Sequence, residues 1–386
     1  MSHPDIAIIG AGIAGLSAAV ALAEKGITAK VFEAAPRLAP MGTSLSIWPN
    51  AMRCLDDWGL AQDVARAGAP ITHVAWRDPS GRAFFAHDMS RLYERFEQPG
   101  ICVRRSDIHD ILAGAVPKGS LHLGHALETC SEKDGQVQLR FANGETHGAD
   151  MVIAADGLWS DLRQKLLPQL APKYSGYGAF LGLSPAPAPA GRSGEAGEYI
   201  GAKARIGVFE TGRDTRYWFV VANDSDPHPS ARPAKLSDVL PHLEGWPEAL
   251  RTLVQQTASE HLIHASFYQC NVKGPWGAGR VLCIGDAMHP FVPNLGQGAC
   301  QAIEDGHVLA EGIAAGIEPA RMPDWMARQR GKRVLDLQQQ AAKIGDLVQG
   351  MGGWHMPILK ATRLLPDMGV MNRSFAAQFQ MPDIRL

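Results

Sequence analysis

The sequence predicts an α/β protein: a Rossmann-type dinucleotide-binding domain, interrupted by an inserted β-sheet and followed by a C-terminal helical segment. Three observations predict it. An apolar strand runs into the glycine motif GAGIAG at residues 10–15, followed by a helix, a second strand and the acidic Glu33. Residues 284–305 read IGDAMHPFVPNLGQGACQAIED, a strand end and then a loop carrying Pro290, Pro293, Gly296 and Gly298 that opens into a helix. Between these two stretches, residues 177–269 alternate as strands around turn-forming residues.

Composition bounds what such a chain does. Its 386 residues are 46% hydrophobic and 20% charged, ample for a large core and ordinary for a soluble enzyme. A net charge of −2 supplies no basic field for nucleic acid or anionic lipid. The six cysteines, Cys54, Cys102, Cys130, Cys270, Cys283 and Cys300, are scattered without a CxxC pair. That spacing favours a reducing, cytoplasmic setting and predicts neither a metal site nor a disulfide framework. Residues 6–23 are apolar enough to imitate a signal anchor, but no positive segment precedes them and glycines punctuate the run. No stable membrane insertion is expected.

From the N-terminus, residues 6–9 are a buried-strand run, the following helix reaches Lys25, and residues 28–32 form the second strand. Gly10 permits the tight turn, Gly12 lets the backbone approach a pyrophosphate, and Gly15 allows close helix–strand packing. Glu33 lies about 20 residues beyond the glycines, where a carboxylate accepts hydrogen bonds from a ribose diol. No second GxGxxG occurs, so this device holds one dinucleotide.

Residues 44–47 form a short strand and Pro49 opens a helix that ends near Gly59. Residues 72–76 and 82–86 form a hairpin about the Asp78-Pro-Ser-Gly81 turn. Residues 102–104 are a strand leading to Arg105, with Ser106 expected to cap the next helix. Arg104 and Arg105 read either as a solvated pair or as a strand-end site for phosphate or a flavin edge. A meander at 126–130 and 137–141 leads to the buried strand 151–155, which ends in ADGLWSDLR at residues 155–163 with Ser160 as a helix cap.

The inserted region runs from 177–183 through a Pro185, Pro187 and Pro189 loop to strands at 205–210 and 217–222. Helical patterns at 236–243 and 246–256 and a strand at 262–268 complete it. Beyond the 284–305 stretch, residues 323–349 read as one long helix and the tail 357–379 as two shorter apolar ones. The tail either covers the core or lies on a membrane surface, the first being favoured.

Three elements in fixed order, GAGIAG with Glu33, ADGLWSDLR, and GDAMHPFVPNLGQG at 285–298, resemble the para-hydroxybenzoate hydroxylase-like family of FAD-dependent aromatic monooxygenases. SLSIWPNA at 44–51 is most similar to the branch that hydroxylates urate, salicylate and 6-hydroxynicotinate. The resemblance implies a Rossmann-type FAD-binding domain built from residues 1–73, 101–176 and 270–325. It implies a substrate domain from the hairpin 74–100 and the sheet 177–269, and C-terminal helices over 326–386. It further implies that Gly10, Gly12, Ala14, Gly15, Glu33, Arg105, Leu127, Asp156, Asp286, Pro293, Gly296 and Gly298 bind FAD. Pro293 also belongs with the reacting centre. Arg205 and Tyr217 resemble the substrate-facing pair of the urate enzyme, and Trp48 is placed as pocket wall or plain core. His289 reads as a loop brace or a proton relay.

The implied activity uses tight, non-covalent FAD, NADH or NADPH as a transient co-substrate, and O2. It hydroxylates a small aromatic or heteroaromatic substrate through a flavin C4a-hydroperoxide, in a monomer or homodimer. A flavin-dependent epoxidase or hydroxylase of a lipophilic polyene or quinone stays open, supported by Trp354, Met356, Ile358 and Leu359. A non-catalytic flavin-binding protein stays open too. A halogenase is set aside because no WxWxIP stretch occurs.

Overall fold

The computed structural model describes residues 3–38, 43–185, 193–224, 226–350, 355–362 and 370–385. The Pro187–Pro189 part of the proline loop and Trp354 lie outside these residues, as does the Ile358 side chain. The central strand Ile6–Ile9 is fully buried and pairs in parallel with Met151–Ala154 on one side and Ala29–Glu33 on the other. Outside these, Val281–Cys283 and Leu121–Leu123 extend the parallel run, and Gly277–Ala278 adds an antiparallel edge. Strands covered on both faces need near-continuous apolar runs, which IAII, MVIA and VLC supply.

The helix Ile13–Glu24 lies against this sheet with almost every residue buried. A helix that is apolar all round belongs inside a large core or a membrane. Here it crosses the long helix Gly298–Ala314 so closely that a Cβ on Gly306 would stand 2.9 Å from the Ala18 nitrogen. The apolar run at 6–23 is therefore core, and among the described residues no helix is long and apolar enough to cross a membrane.

A second sheet carries eight strands. Its order is Arg232–Pro233, Ile263–Gln269, Lys173–Ser184, Arg216–Asn223, Ala204–Glu210, Glu195–Ile200, His73–Arg77 and Ala83–Asp88. All neighbours are antiparallel except Glu195–Ile200 and His73–Arg77, which join the early hairpin to the later strands in parallel. Leu127–Lys133, Gln136–Phe141 and Thr146–Ala149 form the meander expected between them.

The helix after Arg104 differs from its reading. It starts at Arg105 with no side-chain cap, and Ser106 is exposed in its first turn. The Arg105 amide instead donates to the Thr43 carbonyl at 3.1 Å, carrying the pairing of Ile101–Arg104 with Ser44–Ile47 straight into the helix. Ser160 does cap its helix, accepting from the Arg163 amide at 3.0 Å.

The long C-terminal helix spans Met322–Gly345 and continues as a π turn through Asp346–Gly350. His355–Thr362 and Val370–Phe379 follow. Phe379 is buried and stacks on Trp48 with centroids 5.5 Å apart, and Leu359 is buried beside Phe84, Ile200 and Val348. The described part of the tail covers the core.

Candidate active site

The three motifs leave the carboxyl ends of three adjacent parallel strands. Gly10 follows Ile9, Asp156 follows Met151–Ala154, and Asp286 follows Val281–Cys283. Backbone bonds draw them together: Gly10 N–H to Phe32 O at 2.8 Å, Ala155 N–H to Ile9 O at 2.9 Å, and Ile284 N–H to Ala154 O at 3.0 Å. The edge where parallel strands end is where open α/β sheets bind ligands.

Each motif glycine has a definite job. Gly10 has φ +103°, and a Cβ there would sit 2.5 Å from the Ala155 carbonyl. A Cβ on Gly15 would stand 1.9 Å from the Gly10 carbonyl, while one on Gly12 would meet nothing within 4 Å. Open space at Gly12, beside an uncapped helix start without an acidic residue, is what a pyrophosphate requires. Glu33 accepts from the Ala11 amide at 2.8 Å and the Ala35 amide at 2.9 Å, one per oxygen. Because each carboxylate oxygen accepts more than one bond, Glu33 braces the loop and keeps capacity for a diol. Ala14 packs against Gly285, where a Cβ would come within 2.7 Å of its methyl. Leu127 is half-buried at the start of the meander, opposite Phe141.

Asp156 has a buried Oδ1 with no hydrogen-bond partner, and burial pushes its carboxyl up against bonding from Ser160. Asp286 is exposed at the strand end, and the protein crowded around it raises its carboxyl by desolvation. His289, Arg105 and Arg163 oppose the rise. Arg105 is half-buried, its guanidinium pushed down by burial and up by Asp286. It is thus neither solvated nor paired with Arg104, which turns to Asp107 at 3.5 Å.

Past Asp286 the chain makes a 3-10 turn at Pro293–Leu295, a left-handed Gly296 at φ +61°, and then the helix Gly298–Ala314. That helix also starts uncapped and without an acid in its first turn, so its leading N–H groups remain for a ligand. Behind it lies a buried polar network. Asp305 accepts from the Gly285 amide at 2.9 Å, from His289 Nε2 at 2.6 Å and from Arg330 Nε at 2.9 Å. Glu304 accepts from Arg330, from Arg333 at 2.7 and 2.9 Å, and from Asn50. His289 is fully buried in this network, which supports its reading as a loop brace.

The inserted sheet meets the loop through Arg205. Its side chain is only 2% exposed, donating to Glu198 at 2.9 Å and to the Asn294 side-chain oxygen. Asn294 in turn donates to the Tyr177 hydroxyl and the Ala341 carbonyl, both at 2.8 Å. Arg205 is therefore no surface residue. Tyr217 lies in the same region: burial pushes its phenol up, as do Cys102 and Glu198, against Thr43 and Arg205. Its ring contacts Phe209 and Phe219. Trp48 is 7% exposed, wedged between Gly100, Gly296 and Phe379, with Nε1 unpartnered. A surface pocket opens elsewhere, between Arg53, Phe96, His307 and Phe379, and no predicted site residue lines it.

Sequence reasoning missed several residues. Arg163 is buried, with NH1 donating to the carbonyls of Asp286 and Ala287 at 3.1 and 3.0 Å, and so ties ADGLWSDLR to the Gly285-Asp286 turn. Its place inside a quoted motif was a usable signal. Adjacent acids amid the apolar residues of one helix were a signal for Glu304 and Asp305. Nothing local marks Glu198, Asn294, Arg330 or Arg333. Asp224, His228 and His264 form the one group of metal-ligand atoms among the described residues, but His228 Nε2 and His264 Nδ1 already bond each other at 2.8 Å.

Fold and site together define a dinucleotide-binding protein whose nucleotide-end loop is tied to an inserted sheet through Arg205 and Asn294. Sequence comparison places the chain in the family described as FAD binding domain, whose model matches residues 3–333, and the chain belongs to it. It is 32% identical over 332 residues to the aurachin C monooxygenase/isomerase of Stigmatella aurantiaca, covering 85% of each chain. It is 32% identical over 305 residues to the 3-amino-4-hydroxybenzoate 2-monooxygenase of Streptomyces cremeus, covering 78% of this chain and 76% of that one. Among solved structures, Klebsiella pneumoniae HpxO complexed with FAD and uric acid superposes with a TM-score of 0.90 at 26% identity, over 99% of this chain and 98% of that one. The resemblance to the urate-type branch is borne out, and relatives of this chain are monooxygenases.

Proposed function

We propose that the protein is a single-component FAD-dependent monooxygenase that uses NADH or NADPH and O2 to hydroxylate a small aromatic or heteroaromatic ring. The observation that carries this reading is the bond from Arg205 to Asn294, which couples a polar cluster on the inserted sheet to the 293–298 loop. FAD, when bound, supplies electrons taken from the nicotinamide and the activated oxygen. The residues present fit it without covalent attachment. Gly10, Gly12, Ala14, Gly15 and Glu33 hold the ADP half, with Leu127 beside it. Asp156, Arg105 and Asp286 hold the middle, and Pro293, Gly296 and Gly298 line the ring.

The uncapped start of Gly298–Ala314 would offer free N–H groups and the positive end of its dipole to negative charge on that ring. Phe209 and Phe219 exclude water from the substrate face. Arg205 donates to a polar substituent of the substrate, Tyr217 makes a second polar contact, and Trp48 backs the wall through Gly296. All six cysteines are free thiols, which supports the cytoplasm as the setting. A monomer or homodimer suffices, because every group named belongs to one chain.

The test is direct. Heat-released flavin is identified, and NAD(P)H oxidation is followed over phenols, pyridines, quinolones and purines with heavy-isotope O2. The expected result is FAD and one labelled oxygen in the product. FMN or no flavin, or oxidation that yields no oxygenated product on any ring, overturns the proposal.

A further inference from the structure

Glu198 is the residue on the substrate face that the reading above leaves without a task. Register sets it there. In paired strands, partners share a face and alternate residues return to it. Glu198 pairs with Gly207, Gly207 with Phe219, Arg205 with Val221, and Phe209 with Tyr217. Glu198, Arg205, Phe209, Tyr217 and Phe219 therefore project from one face. Gly207 has no side chain because Phe219 lies flat over it: a Cβ there would stand 2.1 Å from the ring. The face is thus an aromatic floor with one polar corner.

The charge of that corner decides what it accepts. Arg205 donates to Glu198 at 2.9 Å and to Asn294, and its Nε has no hydrogen-bond partner. One guanidinium paired with one carboxylate leaves no net positive charge for an anion. A substrate carboxylate would have to displace Glu198 from Arg205 or lie beside it, and like charges in a confined site repel strongly. Glu198 is the more accessible partner, 15% exposed against 2% for Arg205, and its Oε1 accepts no hydrogen bond among the described residues. The corner thus offers a free acceptor next to a guanidinium with unused N–H donors.

We propose that this corner selects a neutral heteroaromatic ring with an adjacent N–H and carbonyl, a cyclic or vinylogous amide, and rejects aromatic carboxylates. The ring N–H donates to Glu198 while the carbonyl accepts from Arg205, so the two side chains read an amide edge as one donor–acceptor pair. This rests on the monooxygenase reading for its site, and Glu198 acts as a specificity residue without touching the oxygen chemistry.

The experiment measures binding to oxidised holoenzyme by flavin absorbance, without turnover. Two matched pairs are used: 6-hydroxynicotinamide against 6-hydroxynicotinate, which differ in charge, and 2-quinolone against N-methyl-2-quinolone, which differ in the N–H. In the wild type the carboxylate should bind at least 100-fold more weakly than its amide, and N-methylation should cost at least tenfold. Glu198→Gln should narrow the charge discrimination at least tenfold, whereas Glu198→Asp should keep it. FAD content and melting temperature report whether each variant folds. If Glu198→Gln does not fold, the two wild-type ratios still decide. Equal or tighter binding of the carboxylate overturns the proposal, as does discrimination unchanged in folded Glu198→Gln. Correct binding ratios with no oxygenated product would instead sink the monooxygenase reading and leave this one standing.

Discussion

Replacing Glu304 by glutamine tests whether the network behind the flavin loop holds it in place. In the native protein Glu304 is fully buried and accepts from Arg330, Arg333, Asn50 and Gln301. Against the desolvation that would raise it, Arg330 and Arg333 hold its carboxyl at about 2, compared with 4.5 for a free glutamate. At 1.36 kcal/mol per pH unit, that displacement is worth about 3 kcal/mol at neutral pH. Removing one member of a buried ion pair costs about 3–5 kcal/mol by a separate route, because the partner cation is stranded. The two figures agree, so Glu304→Gln should destabilise the FAD-saturated protein by about 3 kcal/mol in urea unfolding at pH 7. The sign with pH follows from the depressed carboxyl. Its contribution is complete above the unfolded value of 4.5 and is lost as pH falls toward about 2. The wild type should therefore lose stability across that window more steeply than the variant. A variant within about 1 kcal/mol of wild type at pH 7, or with an equally steep acid limb, would refute the reasoning.

Outcomes at four further positions are expected. Asp286→Ala should weaken FAD binding by about 1.5–3 kcal/mol, tenfold or more, read as flavin lost on dilution and gel filtration; full retention counts against the assignment. Gly15→Ala places a methyl 1.9 Å from a backbone oxygen and should give misfolded or flavin-free protein. Gly12→Ala meets nothing within 4 Å and should fold normally yet hold FAD less well, so normal FAD affinity there would remove the pyrophosphate from Gly12. Arg205→Gln should raise the substrate KM about tenfold or more and increase peroxide per NAD(P)H consumed, with FAD content unchanged. It also strands Glu198, so Arg205→Gln/Glu198→Gln should recover stability but not affinity; wild-type KM and coupling in the single variant would dismiss the arginine.

What was legible in the sequence was what backbone geometry demands locally. Gly10, Gly15 and Gly296 are required by positive φ or by contacts shorter than a Cβ allows, and such requirements fall within a few residues of their cause. The strands IAII, MVIA and VLC were legible because parallel burial forces continuous apolar runs. The cap at Ser106 was misread because a strand-to-strand bond from Arg105 to Thr43 took over a helix start that local propensity alone would give to serine. The polar network was illegible for the opposite reason. Arg330 reaches Asp305 and Asn50 reaches Glu304 across 25 and 254 residues, and no periodicity encodes such a pairing. Arg205 and Glu198 are only seven residues apart, yet the two adjacent strands that carry them had to be aligned in register before the pair could be seen.

The interleaving of the two sheets also fixes the order in which the protein can be made. Ile6–Ile9 emerges first and its neighbour Met151–Ala154 follows ahead of the inserted sheet, but the strand Val281–Cys283 beyond it comes only after that sheet. At about 5–20 residues per second of synthesis, that outer strand arrives on the order of 10–60 seconds after the first. The inserted sheet, by contrast, already has its His73–Arg77 edge waiting when Ile263–Gln269 appears. The inserted sheet is thus completed while the nucleotide-binding sheet still exposes an unfinished parallel edge, and the helix Gly298–Ala314 is translated later still. Flavin supplied during translation meets the site as it closes, whereas flavin added afterwards meets only those chains that survived the wait. Soluble yield should therefore follow the flavin status of the cell during expression more closely than flavin added to the purified protein.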